Sequence, residues 1–259
     1  MQKEDQLLEK RLLELSRISY NRDIITYSDF LNLNELNILH TLPKNTLYTS
    51  YITFGGYELA ERQIAAFIPD ALSLREEKDV ASYFEEELRV LQITPLHMKF
   101  AEELTHRDYL GAMLNLGIDR SKTGDILIDD KKAFLFVKPK MSTFLQEELT
   151  RIKHTSVMVE EVPFQTFDYT PRFEEIKGTV ASVRLDSLLS IAFSSSRSSL
   201  VGLIEGGKVF VNGKLITSNG YQVKDDDIIS VRGMGKFRFC ETLSKTRKNR
   251  IYVRILKYI

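Results

Sequence analysis

The stretch Leu203-Ile204-Glu205-Gly206-Gly207-Lys208-Val209-Phe210-Val211-Asn212-Gly213-Lys214 decides how the last third of this chain folds. Leu200, Leu203 and Ile204 recur at helical spacing, and Gly206-Gly207 stops the helix. Val209 and Val211 then alternate as in a half-buried strand. Asn212-Gly213 is the strongest short hairpin signal, because both residues accept the positive φ that a tight turn demands. Lys214–Ile216 returns from that turn. Upstream, Val183 to Phe193 reads as an amphipathic helix with Leu185, Leu188, Leu189 and Ala192 on its apolar side, and Ser194, Ser195 and Ser196 offer caps for a second helix from Ser196 to Glu205. Downstream, Ile228–Val231 reads as a strand. Phe237–Glu241 and Ile251–Leu256 form a last strand pair around a basic loop, residues 244–250.

Charge sets this module apart. The chain has 36 Lys and Arg and 36 Asp and Glu, a formal balance of zero, but residues 176–259 hold 15 basic against 6 acidic, which leaves 21 against 30 for residues 1–175. Such asymmetry, +9 against −9, points to a nucleic-acid-binding module joined to acidic domains that set orientation or contact protein. Arg184 and Arg197 fall in the first turns of the two helices, where unpaired backbone N–H groups favour anions. Lys208, Lys214, Arg232, Lys236 and Arg238 extend that surface, Lys245, Arg247, Lys248 and Arg250 supply the loop, and Ser196 and Asn212 add hydrogen-bonding groups. Solubility alone explains any one exposed Lys or Arg; it does not explain the whole set on one module of this size. Charge reversal at Arg184, Arg197 and Lys208 together is expected to abolish RNA binding and leave the fold intact.

The other bulk properties narrow the class. Cys240 is the one cysteine, so neither an internal disulfide nor a thiolate metal cluster is available. No apolar run approaches the roughly 18–20 residues of a membrane span, and MQKEDQLLEKRLLEL lacks the apolar stretch of a secretory signal, so a cytoplasmic protein without a membrane partner is expected.

Three domains are expected: 1–78, 79–167 and 183–259, with residues 168–182 as a linker around the polar stretch from Thr166 to Lys177. In the first, Leu8 to Tyr20 reads as a helix. A second helix follows Tyr27, with Ser28 as its cap and Phe30, Leu31, Leu36 and Leu39 as apolar positions. Leu47 to Phe54 reads as a strand, and Glu58 to Phe67 as a short helix. In the middle domain, strands Leu88–Thr94, Asp125–Asp129, Ala133–Lys138 and Ser156–Val162 alternate with helices from Thr105 to Leu116 and from Ser142 to His154, the latter with Thr143 and Gln146 in capping-box spacing. The order β-α-β-β-α-β predicts a ferredoxin-like, RNA-recognition-like antiparallel sheet with two helices on one face and the other face open. Phe134 and Phe136 then alternate against Leu135 and Val137, and whichever pair faces outward is available to stack on bases. The fold class is therefore α+β with three small domains. His106, Arg107 and Arg120, with Phe134 and Phe136, make a secondary set for RNA contact.

The C-terminal pattern, Arg184-Leu185-Asp186, then Ser196-Arg197, then the helix–strand–hairpin stretch, then Asp227-Ile228-Ile229-Ser230-Val231, resembles the alpha-L RNA-binding domain named after the fourth small-subunit ribosomal protein. Asp226-Asp227 stands where that family commonly has Gly-Asp. Phe54-Gly55-Gly56-Tyr57, Ala60-Glu61-Arg62, Leu104-Thr105-His106-Arg107-Asp108, Gly111-Ala112, Leu116-Gly117-Ile118, Arg120 and Gly124-Asp125-Ile126 resemble the YlmH family of bacterial proteins, over essentially the full chain. That resemblance implies binding to ribosomal RNA or tRNA on the large ribosomal subunit, without catalysis or cofactor. It also implies links to stalled-ribosome quality control and to cell division.

Catalytic readings find less support. Arg184-Leu185-Asp186 also resembles the stretch around the catalytic aspartate of pseudouridine synthases, but too little chain follows it for such a catalytic domain. Lys140-Met141-Ser142-Thr143 resembles part of a class I aminoacyl-tRNA synthetase signature and lacks its His-x-Gly-His partner. No G-x-G-x-x-G, P-loop or G-x-S-x-G occurs, and His40, His97, His106 and His154 have no ligand spacing, so neither cofactor nor metal is expected. His106-Arg107-Asp108 superficially resembles a kinase triplet without its companions. An RNA-modifying enzyme remains the alternative, with Asp108, His106 and Glu61 as its titratable candidates. A protein-interaction adaptor for division machinery is a third reading.

Overall fold

A computed structural model describes residues 3–73, 79–164, 167, 169, 171–246 and 249–258, without the side chains of Lys44, Ser73 and Arg197. The chain divides into two compact units, Met1–Tyr169 and Thr170–Ile259.

The first unit opens with α1 (Lys3–Arg22), β1 (Thr26–Leu31), α2 (Leu33–Thr41), β2 (Ser50–Phe54), β3 (Gln63–Ile68) and α3 (Asp70–Ser73). Two expectations fail here. The residues around Ser28 and Phe30 are strand, and the helix behind them is capped by Asn32, whose side chain accepts from the N–H groups of Asn34 and Glu35. Ser28 lies instead at a shift of register between β1 and β3, where its hydroxyl accepts the Ala65 N–H. Gln63–Ile68 is the centre of a three-stranded sheet ordered β1-β3-β2 rather than part of a helix. An all-apolar run is the signature of a strand buried on both faces, and periodicity cannot separate it from a buried helix. Leu12, Leu15, Leu36 and Leu39 of the helices cover one face of this sheet with Leu31, Ala65 and Phe67.

The rest of the unit is β4 (Arg89–Pro95), α4 (His106–Asn115), β5 (Thr123–Asp129), β6 (Lys132–Val137), α5 (Pro139–Glu148), β7 (Arg151–Ile152) and β8 (Thr155–Val162). The sheet order β5-β6-β4-β8-β7 is antiparallel throughout, with the expected four strands in RNA-recognition order and one short addition. α5 starts at Pro139, ahead of the expected Thr143/Gln146 box, and stops at Glu148; the following residues turn through Lys153, at φ 50°, into β8. Leu91, Ile93, Leu135 and Val137 pack under the helices with Tyr109, Met113 and Leu145.

The opposite face departs from expectation. Val90, Leu127 and Phe136 pack against Phe30, Ile64 and Ala66 of the N-terminal sheet, so the two sheets share a core and the helices lie outside them. The face is closed over its central strands, while Met158 and Glu160 on β8 remain exposed. Apolar alternation demanded a buried second face, and the N-terminal sheet supplies the cover.

The second unit runs β9 (Phe173–Val180), α6 (Leu185–Ala192), α7 (Arg197–Glu205), β10 (Val209–Val211), β11 (Lys214–Leu215), β12 (Ile228–Val231), β13 (Gly235–Lys245) and β14 (Ile251–Tyr258). The six strands are ordered β11-β10-β12-β13-β14-β9. Phe173–Val180, expected as linker, is an edge strand paired along its whole length with β14. Gly178 lets it pass under α6, because a Cβ there would lie 2.9 Å from the Ile191 side chain. Leu185, Leu188, Leu189 and Ala192 form the expected buried stripe, joined by Leu200, Ile204, Val209, Val211, Phe237 and Val253. All three residues of β10 are buried, Phe210 included, so this strand is covered on both faces rather than half-buried. Among the described residues, no helix is long and apolar enough to cross a membrane.

Candidate nucleic-acid interface

The basic residues of the second unit fall into groups set by the ladder. β10 begins where α7 ends, and β12 ends beside it, since the Arg232 N–H donates to the Lys208 carbonyl at 2.9 Å. Both side chains are exposed. The Arg232 guanidinium lies 5.9 Å from the centre of the Phe210 ring. Phe210 pairs with Ser230 and Ser230 with Lys236, whose ammonium lies 5.6 Å from the Tyr258 ring. Strand register thus gathers Lys208, Arg232 and Lys236 at one end of the sheet. Arg238 follows on the same face as Lys236, opposite Ile228 and Leu256. Lys245 and Arg250 mark the far end of the β13–β14 ladder, about 30 Å from Lys236 at the usual rise per strand residue. There the Arg250 guanidinium donates to the Thr179 carbonyl at 2.7 Å. Arg247 and Lys248 lie outside the described residues. Lys214 is exposed on the short β11.

Three expected contacts are committed to the fold. Arg184 stands just before α6 and reaches Asp186 through Nε and Nη2, at 3.2 and 3.1 Å. The Asp186 side chain is only 10% exposed, so reversing the charge at Arg184 does not leave the fold untouched. The first N–H groups of α6 donate to Tyr221 and Asn219, which closes that helix end. Asn212 adopts φ 48° in the hairpin; its amide donates to Asp227 at 2.7 Å and accepts from the Ile228 N–H at 2.9 Å. Ser196 caps α7 by accepting the Ser199 N–H, and Arg197 follows at the first helical position. Asp227 also fixes the turn before β12 by accepting the Lys224 N–H.

The secondary set divides as well. His106 and Arg107 are exposed on the first turn of α4. Partial burial and the nearby Arg120 charge hold the His106 ring below its usual pKa. Asp108 accepts from the backbone and hydroxyl of Thr105 and pairs with Lys153 at 2.7 Å, interactions that hold its carboxyl down to about 2. Arg120 spends its guanidinium on the carbonyls of Thr123 and Gly124, and burial pulls its pKa down to about 10. Arg62 does likewise, donating to Thr123 and Arg120 carbonyls, while Asp125 accepts from the Tyr57 hydroxyl and from the N–H groups of Glu61 and Arg62. Tyr57, Glu61, Arg62, Arg120 and Asp125, scattered in sequence, therefore converge to bolt the β2–β3 connection onto β5. Phe136 is enclosed, with its ring stacked on Tyr57 at 5.5 Å and no face left for a base; Phe134 is half-buried against Phe167. The sequence reading missed Arg151 and Lys153, which it placed inside a helix; Lys153 takes the left-handed φ of the tight turn leading into β8.

Fold and surface together define a multidomain α+β protein built around RNA-binding modules. The family described as "Putative RNA-binding domain in YlmH" matches residues 76–166, and the S4 domain family matches residues 183–229. Ribosome-associated protein quality control protein P2 of Bacillus subtilis (strain 168) is 27% identical over 252 residues, covering 96% of this chain and 93% of that protein. The solved structure of the cell division protein ylmH from Streptococcus pneumoniae, 24% identical, superposes with a TM-score of 0.50 over 65% of this chain and 97% of its own, a likeness of fold. Both domain families are thus present in order, and the chain is similar to a Bacillus protein over nearly the whole of its length.

Proposed function

We propose that this protein binds ribosomal RNA or tRNA on the large ribosomal subunit, in the cytoplasm, through its C-terminal module and without catalysing a reaction. The observation that carries the reading is the cluster of exposed Lys208 and Arg232 with half-buried Lys236 at one end of the sheet, in a unit with a strong excess of positive charge. Arg238, Lys214, Lys245 and Arg250 extend the phosphate-facing surface, with Ser196 and Arg197 at the α7 end. Residues 1–78 and 79–167 are taken as two domains packed on a shared core, and this acidic part orients the protein or meets a protein partner. The name of the Bacillus relative supports a place in ribosome-associated quality control, and the name of the Streptococcus protein is in keeping with a link to cell division.

Sedimentation of the full-length protein through sucrose gradients at low and high salt, with and without nuclease, tests this. Salt-sensitive co-migration with the large subunit is the expected result. If about five phosphates are neutralised, log affinity falls with log salt at a slope of about −4 to −5, using the duplex coefficient. Lys208→Glu with Arg232→Glu should weaken binding at an unchanged melting temperature. Migration as free protein under every condition would overturn constitutive ribosome binding.

A further inference from the structure

Resting on that reading, we infer that the first unit has its own RNA phosphate-binding site, in the groove between α4 and the α5–β7 turn, on the helix side of the five-stranded sheet. The sheet face that an RNA-recognition fold ordinarily offers is closed over its central strands by the N-terminal sheet, and the exposed β8 edge presents Glu160. A contact between this unit and RNA therefore falls on another surface. The groove encloses about 430 Å³ between one side of α4 and the segment from Glu148 to Lys153.

Two guanidinium groups line it, Arg107 and Arg151. Both are exposed, and neither side chain has a hydrogen bond or ion pair among the described residues. Elsewhere in this unit Lys122 holds Asp29 at 2.7 Å, Lys138 holds Glu87 at 3.0 Å and Arg89 holds Glu161 at 3.3 Å. Of the groove's two acids, Asp108 is taken up by Lys153 and Thr105, which leaves Glu148. Arg107, Gly111 and Asn115 follow one another at four-residue intervals along the wall, about 6 Å apart along the helix axis.

Gly111 is the second observation. It sits in the middle of α4 without positive φ, and a Cβ built on it meets nothing within 4 Å. Neither backbone geometry nor packing calls for glycine there, and glycine weakens a helix interior. What it provides is depth in the groove, one turn from Arg107. A strand of phosphates fits that depth and takes bidentate hydrogen bonds from guanidinium groups.

The test uses the full chain and a fluorescein-labelled 16-base-pair RNA duplex, read by anisotropy from 50 to 300 mM salt. Arg107→Gln with Arg151→Gln should reduce the salt slope by about 1.8, which corresponds to roughly 60-fold weaker binding at 0.1 M relative to a 1 M reference. Gly111→Gln should keep or raise the melting temperature while weakening binding, because its side chain enters the groove and relieves the helix. Wild-type affinity and slope in both variants would overturn the inference, and loss of binding in Lys208→Glu with Arg232→Glu would show that the C-terminal reading stands alone. No binding by the unsubstituted chain would overturn both. A poly-glutamate peptide whose binding needs Arg107 and Arg151, with RNA binding unchanged, would reassign the groove to an acidic peptide.

Discussion

Phe136→Ala tests whether the middle sheet is closed or serves as a platform for bases. The ring is 0% exposed and touches both sheets. Replacing a core Phe by Ala costs about 3–5 kcal/mol, depending on how far the site collapses. Here collapse is obstructed. Gly56 brings backbone against the ring so closely that a Cβ there would lie 2.2 Å from a ring carbon of Phe136, and backbone cannot fill a void by changing rotamer. The stacked Tyr57 and the edge-on Phe167, at 5.5 and 5.3 Å, also lose their partner, and such pairs contribute about 0.5–1.5 kcal/mol each. The expected loss is about 4–5 kcal/mol, or about 8–20 °C in the melting temperature of a unit this size. Urea and thermal unfolding followed by circular dichroism measure it, with RNA affinity taken where both proteins are folded. A cost below about 1 kcal/mol would refute the closed face, because no well-packed core Phe is that cheap to remove. So would a loss of RNA affinity at unchanged stability.

Further outcomes follow from single contacts. Arg184→Gln should destabilise the protein by about 1–2 kcal/mol, discounted for the guanidinium's 42% exposure, and Asp186→Asn should recover part of it in a double-mutant cycle; strictly additive losses would refute the pairing. Asn212→Ala removes two hydrogen bonds and forces a Cβ-bearing residue without side-chain compensation into φ 48°, for about 2–3 kcal/mol in urea unfolding, with the RNA salt slope unchanged; a shallower slope would instead assign Asn212 a phosphate. Tyr27 donates to the Tyr83 carbonyl at 2.6 Å, and burial with the nearby Glu87 charge pushes its pKa up to about 12. The folded state therefore holds this proton more tightly than the unfolded chain, whose tyrosines titrate near about 10. The resulting stability is full below that pH and disappears as pH rises toward 12. Tyr27→Phe should flatten this alkaline limb, and an unaltered limb would contradict the assignment.

Local pattern was enough where an element is specified by its own residues. The 3.6 spacing of Leu185, Leu188, Leu189 and Ala192, the Gly206-Gly207 stop, the Asn212-Gly213 turn and the middle-domain strand order all appear in the structure as read, because each depends on the backbone preferences of neighbouring residues. Local pattern misled where burial on both sides removes the period. The stretch 64–68 is apolar throughout since it belongs to the central strand between two layers, and Phe173–Val180 looks like a polar linker since it is an edge strand whose partner lies more than 70 residues on.

The functional surface divides along the same line. Composition alone established that the C-terminal module is basic, and motif order alone established its family, because net charge and linear spacing survive without a fold. Only tertiary structure decided which cations remain for a ligand: Arg184 is committed to Asp186 and Arg120 to backbone carbonyls, while Lys208 and Arg232 meet at a strand end. It likewise turned Phe136 from a candidate base platform into core, and set Arg107 and Arg151 in one groove with no acid paired to either among the described residues. Charge pairing and burial are properties of distance in space, and residues far apart in the chain carry no local sign that they will meet.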